Sequence, residues 1–219
     1  MPDHSTLSRC RKLLVEQGLA DRLLVEVDRQ LGARGLISKR GTLVDASLIA
    51  ANSRRPRKGE SVEDRSDPDA SWSTMPDAPL YGYKAHVAVD QGSGSVRRAI
   101  LTPANVSDKT LAPLIQGDEQ AFCADRGYDG WWLCDRLAER GIAGRVMGMS
   151  YRRRRLAAAG EARNRAIASV RSQVERMFAT LKPWYGYRRV RYRSLARNSL
   201  QLHLLCVAMN LLRTLVLAA

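Results

Sequence analysis

Apolar residues recur at three- and four-residue steps through NRAIASVRSQVERMFATLK, residues 164–182: Ile167, Val170, Val174, Phe178 and Leu181. That period predicts one amphipathic helix with a buried stripe. Arg171, Glu175 and Lys182 are spaced by four and seven residues on it. At about 100° per residue they fall on one side of the helix. A carboxylate flanked by two cations suits a metal ion with phosphates on either side. An ordinary solvated face with an Arg–Glu pair four residues apart is the plainer reading.

Two shorter helical patterns open the chain, over residues 5–17 and 19–31, with Gly18 and Gly32 at the positions of C-terminal glycines. Together they are too small to own a core. TLVDASLIA, residues 42–50, reads as a largely buried strand, with a short helix as the alternative. Residues 52–80 are rich in Arg, Pro, Ser, Asp and Gly and have little periodicity, which predicts an exposed loop. Arg54, Arg55, Arg57 and Lys58 on it are candidate DNA contacts.

YKAHVAVD, residues 83–90, alternates into a strand, and a Gly/Ser turn over 91–95 leads to a second strand over 96–102. Ser107 or Asp108 then caps a helix running to about Gln116. Capping is the preferred role for Asp108. Residues 121–124 form a short apolar strand, 131–140 a helix and 143–147 a further strand. Leu200 to Leu217 is apolar but carries Gln201, His203, Asn210 and Arg213, so it reads as a core helix and not a membrane span.

Charge changes the picture. The 219 residues hold 36 Lys+Arg against 22 Asp+Glu, a formal net charge of +14. That imbalance points to a polyanionic partner, most simply nucleic acid, although a merely basic protein has the same signature. The arginine runs at 152–155 and 188–193 are interleaved with Tyr151, Tyr187 and Tyr192, a mixture suited to phosphates and base or sugar faces. Cys10, Cys123, Cys134 and Cys206 lie far apart, and none of the three histidines sits near one at zinc-ligand spacing. Disulfides and structural zinc therefore have no support, and a reducing cytosol fits.

Candidate chemistry follows from the carboxylates. Asp45 sits inside an apolar strand, where an ionised group is costly unless paired or bound to a cation. A satisfied structural Asp is the alternative. Asp125 ends a buried strand and precedes a Gly turn and a helix, where α/β folds place reactive groups. Asp129 reads as a turn or N-cap residue. The element order predicts an α/β fold: a ribonuclease-H-like mixed sheet flanked by helices, with a short N-terminal helical segment. In that arrangement the strands bearing Asp45 and Asp125 are neighbours and the Glu175 helix packs over them. Three clustered carboxylates would need divalent metal.

TLVDASLIA, YGYKAH, LTPANVSD, CADRGYDG and RSQVERMFATLK, in that order, resemble the insertion-sequence DDE transposases of the IS-four/IS-five group. The resemblance covers nearly the whole chain. It implies that Asp45, Asp125 and Glu175 are the catalytic, metal-binding triad, holding two Mg²⁺ or Mn²⁺ ions. It places Arg171 and Lys182 in a Tyr-x2-Arg-x3-Glu-x6-Lys signature, whose tyrosine position is Ala168 here. Arg126, Arg152, Arg153, Arg154 and Arg155 join them as expected DNA-binding residues.

The implied activity is cleavage at transposon inverted-repeat ends followed by joining of the 3′-hydroxyl to target DNA. A nuclease lacking strand transfer and an inactive DNA-binding relic are the rivals. The implied partners are double-stranded DNA and further copies of the chain, with no membrane, in a bacterial cytoplasm at the nucleoid. Residues 1–40 read as a remnant of an end-binding region, N-terminally truncated relative to such transposases, and 41–219 as the catalytic domain with basic C-terminal helices.

Overall fold

The computed structural model describes residues 3–53, 67–73, 79–110, 114–148 and 156–217. Arg54, Arg55, Arg57, Lys58, Tyr151 and Arg152 to Arg155 lie outside them. Helices α1 (His4–Glu16) and α2 (Leu19–Ala33) come first, then strand β1 (Thr42–Ala50). Strands β2 (Ser71–Trp72), β3 (Tyr81–Asp90), β4 (Val96–Pro103) and β5 (Ala121–Ala124) follow. Helix α3 (Trp131–Glu139), strand β6 (Ala143–Val146), and helices α4 (Ala158–Trp184) and α5 (Leu195–Leu217) complete the chain.

The sheet is mixed. β1 pairs antiparallel with β3, and β3 with β4, so the hairpin forms as its alternation predicts. On its other side β1 pairs parallel with β5, and β5 with β6. Leaving out the short β2, the order is β4-β3-β1-β5-β6, the ribonuclease-H-like arrangement expected. Successive residues of β1 enter different cores, as a pleated strand requires. Leu43 joins Tyr83, Ala85, Val87 and Val89 under α4 and α5, where Val174, Phe178, Leu181 and Leu202 are buried. Val44 joins Phe122 and Ala124 under α3, with Leu133 and Leu137.

Gly82 shows why the start of β3 needs glycine. A Cβ there would overlap the Ile49 carbonyl oxygen and lie 2.7 Å from the Ala51 nitrogen, so only a bare backbone can pair so closely with β1. Helix α2 docks on β4 and α5, and α1 packs against α5 and α2. Leu24 is fully buried in the core under α4 and α5. Asp28 holds the guanidinium of the buried Arg97 through oxygens 3.1 and 3.2 Å away, and Asp118 holds its other edge.

Several expectations need correction. Gly32 lies inside α2. The left-handed residue that ends the helix is Gly35, at φ 71°, where Gly35 and Leu36 donate back to Gly32 and Leu31. Asp108 begins a 3₁₀ turn, Asp108–Thr110, and among the described residues Ile115 and Gln116 are not helical. There the Glu119 carboxylate accepts from the nitrogens of Gln116 and Gly117 and folds the chain into a turn. Asp129, in contrast, takes one of its two expected roles: it closes the turn before α3, whose N-cap position is Gly130.

Part of the 52–80 stretch is packed and not exposed. Asp67 is fully buried, accepting from the Tyr83 hydroxyl at 2.6 Å, and β2 pairs with the start of β3. Tyr187, read as a nucleic-acid contact, is fully buried in the core. α5 is buried at Leu200, Leu202 and Cys206 but exposes Leu211, Leu212, Leu215 and Val216 at its end. It is long and apolar enough to cross a membrane by composition, yet Asn210 within it is buried against the sheet, with its amide bonded to both backbone groups of Val96 at 2.8 Å.

Candidate active site

β1 and β5 pair only at Thr42–Phe122 and Leu43–Cys123. Beyond that point a cleft opens between the middle of β1 and the C-terminal end of β5, the strand end where open α/β sheets expose reactive groups. The cleft encloses about 300 Å³. Asp45 to Leu48 form one wall and Asp125 with Tyr128 the other, and Lys84, Asp108 and Lys182 complete it.

Asp45 accepts from Arg171 of α4 at 3.0 Å. Burial raises its carboxyl to about 6, against the opposing pull of the Arg171 charge, and Asp125 and Glu175 push it further up. Asp125 and Glu175 are therefore near enough to Asp45 for their charges to act on it. Asp125 extends from β5 and caps the 3₁₀ turn Arg126–Tyr128, accepting from the Gly127 nitrogen at 2.7 Å. Glu175 lies one helical turn beyond Arg171 and is exposed. It is not part of the wall that Asp45 and Asp125 share. Among the described residues, no three His, Cys, Asp or Glu side chains converge into a metal-ligand cluster.

The cations divide by depth. Arg171, expected to meet phosphate, is 7% exposed and bound to Asp45. Lys182 is half-buried on the cleft wall, and burial together with Arg188 lowers its pKa. Arg126 is exposed immediately after Asp125.

Four residues of the site escape a linear reading. Lys84 of β3 is buried, and its ammonium donates to Asp108 at 3.0 Å and to the Val106 carbonyl at 2.9 Å. His86, two residues along, is fully buried with Nδ1 3.6 Å from Asp108 and Nε2 3.0 Å from the Thr102 hydroxyl. Burial and then the Lys84 charge push it down to about 3, so the imidazole stays neutral. Tyr128 is 3% exposed, and its hydroxyl has no hydrogen-bond partner. Burial first, and then Asp108, Asp45 and Asp125, raise its pKa and keep it protonated. The available signal was the lysine in a strand of which all ten residues are buried. A cation does not sit there without an acidic partner.

The cleft thus offers hard oxygen donors from two parallel strands, cations at two depths, and a buried donor without an acceptor. Carboxylate oxygens are the donors that Mg²⁺ and Mn²⁺ take, and the mutual repulsion at Asp45 is what a divalent cation relieves, so the residues fit such an ion by chemistry. No solved structure matches the chain. A family model, the transposase DDE domain, matches residues 37–211, a span that starts before β1 and ends within α5. It includes every wall of the cleft, and the chain belongs to that family.

Proposed function

We propose that this chain is a DNA transposase of the IS-four/IS-five insertion-sequence group, and that Asp45, Asp125 and Glu175 are its catalytic carboxylates. The observation that carries the reading is that Asp45, midway along β1, and Asp125, at the end of the parallel neighbour β5, line one cleft. Asp45, Asp125 and Glu175 would hold Mg²⁺ or Mn²⁺, which supplies charge stabilisation for in-line phosphoryl transfer.

The chain's own residues do the rest. Lys182, half-exposed on the cleft wall, binds a strand phosphate, and Arg126 extends the same contact outside the cleft. Arg171 keeps the Asp45 carboxylate turned toward α4 and compensates its charge while no substrate is present. Tyr128 lines the cleft with a protonated hydroxyl. The reaction on this reading is cleavage at an inverted-repeat end followed by attack of the 3′-hydroxyl on target DNA. At least two copies act on paired ends, in the bacterial cytoplasm at the nucleoid. Residues 41–219 form the catalytic unit, and α1 and α2 belong to an end-binding region.

The test is strand transfer with a pre-cut end, a plasmid target and Mg²⁺. Wild-type chain is expected to join the end to the plasmid. Asp125→Asn is expected to abolish cutting and joining while DNA binding persists, because it removes a negative charge beside phosphate. Cleavage by Asp125→Asn at near wild-type rate sinks the assignment. Cutting by the wild type with no joined product reduces the chain to a nuclease.

A further inference from the structure

Asp108 lies in a stretch whose local pattern explains it as a helix cap, yet what it begins is the 3₁₀ turn Asp108–Thr110. Its carboxylate is instead held by the sheet. Oδ1 accepts from Lys84 at 3.0 Å and lies 3.6 Å from His86 Nδ1. Oδ2 accepts nothing from any described residue and turns toward the Asp125 loop. A Cβ built on Gly127 would lie 3.4 Å from Asp108 Oδ2 and 2.9 Å from Asp125 Oδ1, the oxygen that caps the Arg126–Tyr128 turn, so the two carboxylates meet beside one glycine. A cap residue needs none of this. One oxygen is fixed and the other aimed, which is how a protein orients a ligand group from behind.

A second observation points to a ligand in the same place. The Tyr128 hydroxyl is buried, protonated and without a partner, and it lines the cleft with Asp45, Asp108 and Asp125. Buried donors are almost always satisfied, by protein, water or a bound group. What Tyr128 lacks is an oxygen acceptor in the cleft. A hydrated cation or a phosphate brings one.

We propose that Asp108 is a fourth carboxylate of the active site, whose Oδ2 binds a divalent cation beside Asp125, and that Lys84 is the residue that positions it. The proposal rests on the reading of Asp45, Asp125 and Glu175 as metal ligands and extends it. Lys84 neutralises the oxygen it holds and, with neutral His86 behind it, leaves the second oxygen as the only free acceptor. The cation site is thereby biased toward the Asp125 side of the cleft, away from the Asp45 oxygen that Arg171 occupies.

Mn²⁺ binding to the full chain without DNA, followed by the electron paramagnetic resonance signal of free Mn²⁺, tests this apart from activity. Asp108→Asn is expected to weaken Mn²⁺ about tenfold, and Asp108→Glu to give an intermediate affinity. Asp125→Asn, run in parallel, is expected to weaken it at least as much. If Asp125→Asn weakens Mn²⁺ and Asp108→Asn does not, this inference fails and the triad stands. If neither does, the triad reading fails and takes this inference with it. Equal losses of melting temperature in Asp108→Asn and Lys84→Gln, with Mn²⁺ affinity unchanged in both, reduce the pair to a structural ion pair and overturn the proposal. Should Asp108→Asn fail to fold by circular dichroism, Asp108→Glu decides: a Mn²⁺ affinity equal to wild type overturns it.

Discussion

Replacing Arg171 by Met removes the cation from Asp45 and keeps an apolar stem of similar length. Asp45 is the group that responds. Its carboxyl stands at about 6 against an ordinary 3.8, raised by burial and restrained by Arg171. An acid whose folded pKa lies above its unfolded one binds protons on folding. Its stability contribution is therefore present at low pH and is lost as pH rises through the interval between the two values. In the wild type that interval runs from 3.8 to about 6. A neighbouring arginine lowers an aspartate by roughly 1–3 units, so losing Arg171 extends the interval upward by about 1–2 units at this partly exposed site.

Each unit is worth about 1.4 kcal/mol. Arg171→Met should therefore lose about 1.4–2.7 kcal/mol more stability at pH 8 than at pH 5, where Asp45 is mostly protonated in both proteins. Urea unfolding in EDTA at the two pH values measures the difference directly. The loss common to both pH values reports packing, and the excess at pH 8 isolates the charge. Equal losses at pH 5 and pH 8 would refute the reasoning, because Asp45 would then not be an ionised carboxylate that depends on Arg171.

Lys182→Ala should weaken binding to inverted-repeat and random duplexes alike and lower the slope of log affinity against log salt by about one, as the loss of one phosphate contact requires. A salt slope that does not move, or a loss confined to one sequence, would separate Lys182 from the phosphate path. Gly82→Ala should destabilise the fold by at least about 2 kcal/mol, since the added methyl meets backbone of β1 that cannot yield without breaking the ladder. Thermal unfolding within a degree of wild type would show that β1 and β3 part there at little cost.

The elements that the hydrophobic pattern predicts well are those whose burial is one-sided or complete. β1, the β3–β4 hairpin, α3 and α4 appear within a few residues of expectation, because apolar period and secondary-structure period coincide there. The structure puts Asp45 and Asp125 on one cleft. Asp45 is a carboxylate placed where ionisation is costly, and such a cost marks a candidate site before any partner is known. The partners were not legible. Spacing along α4 puts Arg171, Glu175 and Lys182 on one side but says nothing about depth. The packing of α4 on β1 sends Arg171 to Asp45 and leaves Glu175 in solvent.

Asp108 failed for a related reason. A short acidic side chain after Ser107 has a sufficient local explanation, while its real partner is 24 residues away on β3. Lys84 held the clue, because a buried ammonium obliges the fold to bring a carboxylate to it. Tyr187 shows the converse: an aromatic ring among arginines looks like a stacking platform until the core under α4 and α5 absorbs it. A sequence thus shows which groups are costly to bury, and the fold decides which cation offsets which carboxylate. Around this cleft Lys84 is committed to Asp108 and Arg171 to Asp45, both deeply buried. Lys182 has no ion pair among the described residues and sits half-exposed on the wall, with Arg188 near enough to disfavour its charge. On the proposed reading an approaching phosphate would relieve that repulsion, so Lys182 is the cleft-wall cation placed to meet it.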